Sequence, residues 1–173
     1  ADFKVAVDCI IFGFDEEGNT TQVIGRNLQE NHPDNGNEYI WNNTKPYVVY
    51  GYASVPDGKI LTVNPGARIH FHADSGIIVQ EGGTLNIAGE PSITENLEKE
   101  VIFEGDRLEP NFAETPGQWG FVYLRQGSLN HTIKNLTLKN STIGIYADFQ
   151  TTLAVENTQI YNSSVVGILG RFA

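Results

Sequence analysis

Two histidines stand two residues apart in "IHFHAD", with an aspartate two further on. On a strand His70, His72 and Asp74 share one face, where two imidazoles and a carboxylate could hold a metal ion if one more ligand came from a neighbouring segment. The same alternation makes them equally the solvent face of a strand whose Ile69 and Phe71 point inward. A second set suits sugar chemistry. Asp106, Arg107 and Glu109 fall in "FEGDRLEP", Arg125 follows "WGFVYL", and Asp148 ends "IGIYAD". Paired carboxylates hydrolyse glycosidic bonds, and an arginine base beside calcium-bound carboxylates can eliminate across an acidic sugar. Arg125 and Asp148 are 23 residues apart, so a stacked ion pair on adjacent repeats is the preferred explanation over catalysis. A third set could bind without reacting. Trp119 and Tyr123 offer rings on which a sugar could stack or which could cover the end of a core, and Glu109 and Glu114 lie on an acidic segment nearby. "FEGDRLE" also has a structural use, with Asp106 and Arg107 clamping the start of that segment. Nothing in the pattern calls for a cofactor.

Whatever these residues do, short strands must position them. The 173 residues are 40% hydrophobic and 18% charged, a balance that supports one folded domain. Eleven basic against twenty-one acidic residues leave a net charge of -10, which opposes binding to nucleic acid or to an anionic lipid surface. The longest apolar runs fall far short of the roughly 20 residues a membrane-spanning helix needs. The single cysteine, Cys9, follows "KVAVD" in a strand-like alternation and reads as a buried thiol. The absence of methionine, the start at Ala1 without a signal-like segment, and an end inside a repeat read as a piece of a longer protein, with any targeting signal upstream.

"ADFKVAVDCIIFGFD" alternates Phe3, Val5, Val7, Cys9 and Ile11 on one face and predicts a strand. Residues 16–38, rich in Asn, Gly, Asp and Glu, read as a polar loop or linker, so that residues 1–40 form an N-terminal strand and linker. From Trp41 to Ala173 the chain repeats. "NLTLKNS" at Asn135 matches "NTQIYNS" at Asn157, an offset of 22, and Gly144 matches Gly167 at an offset of 23. Gly120 stands another 24 residues upstream. Short strands at this period, with no amphipathic helix between them, predict an all-β fold, a parallel β-solenoid with turns of about 22 to 24 residues. Leu136, Leu138, Ile143, Ile145, Leu153, Val155, Ile160, Val166 and Ile168 are the expected inner column, with glycine relieving the corners. Asn140 and Asn162 are expected to ladder at a corner in left-handed conformations. Asn130, Asn135, Asn140 and Asn162 head Asn-x-Ser/Thr sequons, for which the corner role is the preferred explanation. Two acidic excursions, "EPSITENLEKE" and "GDRLEPNFAETPG", leave the repeat. Tyr47, Tyr50 and Tyr52 are expected to cover the N-terminal end of the column, while Ile168, Leu169 and Phe172 would need a continuation or a partner to cover them.

The motifs "KPYVVYGY", "HFHADSG", "FEGDRLE" and "PGQW", in that order, resemble a family of right-handed parallel β-helix surface lipoproteins of the Bacteroidetes, over about Trp41 to Ala173. The resemblance implies a right-handed helix that continues past residue 173 and an upstream lipidated cysteine holding it at the outer membrane. Its expected role is then a non-enzymatic cell-surface protein, an interaction or accessory subunit of an outer-membrane complex whose partners are other surface proteins. The alternative is a polysaccharide-binding or polysaccharide-degrading β-helix, a lyase or hydrolase.

Overall fold

The computed structural model describes residues 9–14, 20–25, 37–44 and 46–171. Among the described residues the regular structure is all strand apart from a 3₁₀ turn at Pro110–Phe112. Strands β1 (Cys9–Phe14) and β2 (Thr20–Gly25) come first, followed by five triplets. These are β3 (Glu38–Trp41), β4 (Tyr47–Tyr50) and β5 (Tyr52–Val55); β6 (Ile60–Val63), β7 (Arg68–Phe71) and β8 (Gly76–Val79); and β9 (Thr84–Ala88), β10 (Val101–Gly105) and β11 (Val122–Leu124). Then come β12 (His131–Lys134), β13 (Leu136–Lys139) and β14 (Ile143–Ala147), and last β15 (Leu153–Glu156), β16 (Gln159–Tyr161) and β17 (Val166–Gly170).

Every strand of the first four triplets pairs in parallel with the third strand after it, which makes three sheets of five parallel strands. They are β3-β6-β9-β12-β15, β4-β7-β10-β13-β16 and β5-β8-β11-β14-β17. The second is extended at β4 by β1, antiparallel to β4, and then by β2, antiparallel to β1. The expected loop over residues 16–38 thus contains a strand, and the first triplet begins at Glu38, inside the expected linker. Composition hid β2 because "TTQVIG" pairs at a sheet edge and needs no continuous apolar run. Phe3, Val5 and Val7 lie outside the described residues.

Strands this short hold together because alternate side chains turn inward and stack in register. Tyr39 pairs with Leu61, and Leu61 with Leu85; Trp41 pairs with Val63, and Val63 with Ile87. All six are fully buried, and each buried Leu, Ile or Val contributes about 2 kcal/mol. The outer face of the same sheet is a polar ladder. Thr132 donates to Asn86 at 2.6 Å, Asn86 to Thr62, and Thr62 to Glu38.

The sequence repeat becomes register at Leu138–Ile160 and at Ile143–Val166. Leu136, Leu138 and Ile145 are buried. Ile143, Leu153, Ile160 and Val166 are half-buried, while Val155 and Ile168, in the last triplet, are 42% and 49% exposed. Asn135 and Asn157, and Asn140 and Asn162, all have φ between 47° and 64°, the left-handed corners expected of them.

Gly120 is not in register with Gly144, because Val122 pairs with Ile145 and so sets Phe121 opposite Gly144. Glycine before these apolar runs answers close approach rather than a corner. A Cβ on Gly144 would meet the Gly167 carbonyl oxygen at 2.3 Å, and one on Gly76 would meet that of Phe121 at 2.2 Å. Nor do the tyrosines of the first triplet gather into a cap. Tyr47 is buried and stacks on Trp41 with centroids 5.2 Å apart, whereas Tyr50 stacks on His72 and Tyr52 meets Phe121.

Candidate ligand-binding groove

The three parallel sheets offer three outer surfaces, and the candidate residues divide among them. On the second sheet β7 sets His70 opposite Glu104 of β10, with Nδ1 3.5 Å from the carboxylate. Glu104 in turn takes Lys139 of β13 at 2.8 Å. Desolvation works against charge on Lys139, but the Glu104 hydrogen bond and charge outweigh it and hold its pKa above the usual lysine value. His70 is shifted the other way, because burial outweighs the pull of Glu104. One step along, His72 Nδ1 lies 2.7 Å from Asp106 while its ring stacks on Tyr50. Each histidine therefore faces a carboxylate of the next strand, and Asp74 occupies a left-handed turn with φ 56°. Among the described residues no three His, Cys, Asp or Glu side chains gather in a way that could hold a metal ion.

Two excursions flank β10, and side chains tie both down. Arg68 donates to the Leu97 and Glu100 carbonyls at 2.7 Å each, which fastens the 90–100 segment. The 106–117 segment is fastened by Gln118, which donates to Phe112 and Thr115 carbonyls, by Asn140, which donates to Ala113 O at 2.9 Å, and by Asn162, which donates to Glu114 at 2.6 Å. Asn140 and Asn162 thus anchor the loop besides turning the corner. Arg107 stays within it, its guanidinium 3.9 Å from the Phe112 ring centroid and its Nε on Glu109 at 3.2 Å. The expected clamp by Asp106 holds through His72, while that by Arg107 does not reach a sheet. Trp119 is 1% exposed. Its ring stacks on Phe71 with centroids 4.3 Å apart, and its indole N–H donates to Lys139 O at 2.9 Å. It is a core residue and cannot meet a ligand, which corrects its assignment as a binding residue.

The third sheet carries the remaining candidates and brings them together. Tyr123 of β11 pairs in register with Tyr146 of β14, and their rings stack with centroids 4.7 Å apart. One residue after each strand, Gln80, Arg125, Asp148 and Arg171 form a second column. Their N–H groups donate in turn to Val55, Val79, Leu124 and Ala147 carbonyls at 2.9 to 3.0 Å. Arg125 and Asp148 are therefore stacked neighbours, as their spacing predicts, but they make no salt bridge with each other. Arg125 Nη1 donates to Gln80 Oε1 at 2.7 Å, and Gln80 Nε2 donates to Ser54 at 2.8 Å. Asp148 accepts from the Tyr123 hydroxyl at 2.7 Å and from the Phe149 N–H at 2.8 Å. Those two hydrogen bonds hold the Asp148 pKa below the usual carboxylate value. Tyr123 is raised, by desolvation first and then by Asp148. Arg171 hydrogen-bonds Tyr146, which raises the guanidinium pKa further.

Beside Tyr123 and the Gln80–Arg125–Asp148 part of the column lies a polar groove of about 460 Å³, lined by Gln80, Glu81, Tyr123, Arg125, Asp148 and Gln150 among others. Because Tyr123 and Tyr146 cover each other's faces, the groove offers a ligand hydrogen-bonding groups rather than an open ring. Gln80, Tyr146 and Arg171 were not singled out by sequence reasoning. The step of 23 from Arg125 to Asp148 continues to Arg171 and could have found the last of them.

Compared with known proteins, the chain matches no family model and has no significant match among curated proteins or solved structures.

Proposed function

We propose that the chain is a right-handed parallel β-helix acting as a non-enzymatic recognition scaffold, and that the ligand it holds is a glycan. Three sheets, each built of parallel strands from successive triplets, support the helix, and parallel crossovers are right-handed in about 98% of cases. The observation that carries the glycan is the groove on the third sheet, where Arg125 and Asp148 are held in place by Gln80 and Tyr123 and still have hydrogen-bonding capacity to spare. Sugars are recognised by such fixed donors and acceptors. The same geometry argues against turnover. Asp148 is held below the usual carboxylate value and Tyr123 above the usual phenol value, so neither is tuned toward neutral pH as a proton donor.

The surface location is carried by the resemblance to the Bacteroidetes β-helix lipoproteins, and in that setting the scaffold would present a captured glycan to neighbouring outer-membrane proteins. Retardation of the protein in gels containing soluble polysaccharides, run beside reducing-end and unsaturated-product assays on the same polymers, tests this function. Retardation without turnover is the expected result. Turnover that disappears in Arg125→Gln would overturn the non-enzymatic assignment.

A further inference from the structure

The column Gln80–Arg125–Asp148–Arg171 repeats along the stacking direction, one side chain per strand, and strands in a sheet lie about 4.8 Å apart. That step is comparable with the length of one sugar ring in an extended chain. The chemistry along it alternates: Arg125 is a donor, Asp148 an acceptor and Arg171 a donor, while Gln80 at the end is both. Nη1 of Arg125 is taken by Gln80, and its other N–H groups have no protein partner among the described residues. Each oxygen of Asp148 accepts one hydrogen bond and keeps a second lone pair.

Resting on the glycan-binding function proposed above, we propose that the ligand is an uncharged linear polysaccharide that crosses the strands of the third sheet and hydrogen-bonds the Gln80–Arg125–Asp148–Arg171 column through its hydroxyls. A hydroxyl both donates and accepts, so a run of them satisfies alternating donors and acceptors without a net charge. A polyanion would satisfy the two arginines but would have to lie against Asp148 and Glu81, on a protein whose net charge is -10. The stacked tyrosines agree with this contact mode. Their faces are turned to each other, so the sugar is held by its polar groups.

The test is calorimetric titration of the whole chain with cellohexaose, xylohexaose, mannohexaose and laminarihexaose, and with hexagalacturonic acid. It is repeated from low salt to about 0.5 M sodium chloride, where screening removes most long-range electrostatics. Arg125→Gln, which removes the guanidinium, and Asp148→Asn, an isosteric change, are titrated in parallel after circular dichroism has shown them folded. Binding of at least one neutral hexaose, unchanged by salt and weakened on the order of tenfold by either substitution, is expected. Preferential binding of the hexagalacturonate that collapses with salt would overturn the uncharged ligand while leaving glycan binding in place. Neutral binding indifferent to both substitutions would overturn the column as its site. Failure to bind any of the five would overturn both the inference and the function on which it rests.

Discussion

His131 is a histidine in an apolar column. On β12 it is the inward residue in register between Leu85 and Leu153, and it is 1% exposed. Its Nδ1 accepts the Leu85 N–H at 3.0 Å, and its Nε2 lies 2.9 Å from Ser128 Oγ, whose own hydrogen goes to Arg125 O. A proton on Nδ1 would destroy the first of these bonds, and burial pushes the histidine pKa down from 6.5 to about 4. Unfolding releases it to an ordinary value. The stabilisation of the neutral ring is therefore complete above pH 6.5 and is lost as pH falls towards 4, because the unfolded chain takes up a proton that the folded chain refuses. At 1.36 kcal/mol per pKa unit the full difference is about 3 kcal/mol, and most of it is gone by pH 4.5. In His131→Asn the side-chain oxygen stands where Nδ1 does and can accept the Leu85 N–H without titrating. Urea denaturation followed by the fluorescence of the buried Trp41 and Trp119 measures the difference. Wild type should lose about 2 to 3 kcal/mol more than the variant between pH 7.5 and 4.5. A gap between the two proteins that stays constant over this range would refute the reasoning.

Three further outcomes are expected. Gly144→Ala forces a Cβ to within 2.3 Å of the Gly167 carbonyl oxygen, and the resulting shift of β17 should cost about 1 to 3 kcal/mol in the same denaturation assay; an unchanged midpoint would show that the triplets can separate freely. Asn140→Gly keeps the left-handed corner but removes the amide bonded to Ala113 O, so limited proteolysis within residues 106–117 should accelerate while global stability changes by only about 1 kcal/mol. The Lys139 pKa is held up by Glu104, so the stability drawn from that pair is present below pH 10.5 and is lost as pH rises through the raised value. Glu104→Gln should abolish that alkaline loss, and a Lys139 Nζ titration that does not move in the variant would contradict the assignment.

The period of the fold was legible because parallel in-register stacking forces like residues onto like positions. "NLTLKNS" over "NTQIYNS" became the Leu138–Ile160 pair, and the left-handed asparagines followed from the same alignment. The triplets upstream were harder to read, since the two excursions put a separation of 46 positions between Asn86 and its partner Thr132. Trp119 misled for a related reason. It follows a loop, so no alternation shows which way it faces, and only its bridge to Ser141 places it over Phe71. His131 was illegible because a neutral histidine can sit where an aliphatic side chain is expected, provided both nitrogens find partners. In the groove, the Arg125–Asp148 spacing was visible and their stacking followed. The bonds that position them come from Gln80 and Tyr123, one on the preceding triplet and one on the outer face of a strand, and no spacing rule selects those side chains from the other polar residues near the corners.

The most direct test of a glycan held on the third sheet is a ¹H–¹⁵N spectrum of the chain titrated with the neutral hexaose that binds it best. Shift changes concentrated on Gln80, Glu81, Arg125, Gln126, Asp148 and Gln150, with those of the 106–117 segment still, are the expected result. Changes centred on the 106–117 segment or on β15 to β17, with the groove silent, would contradict it.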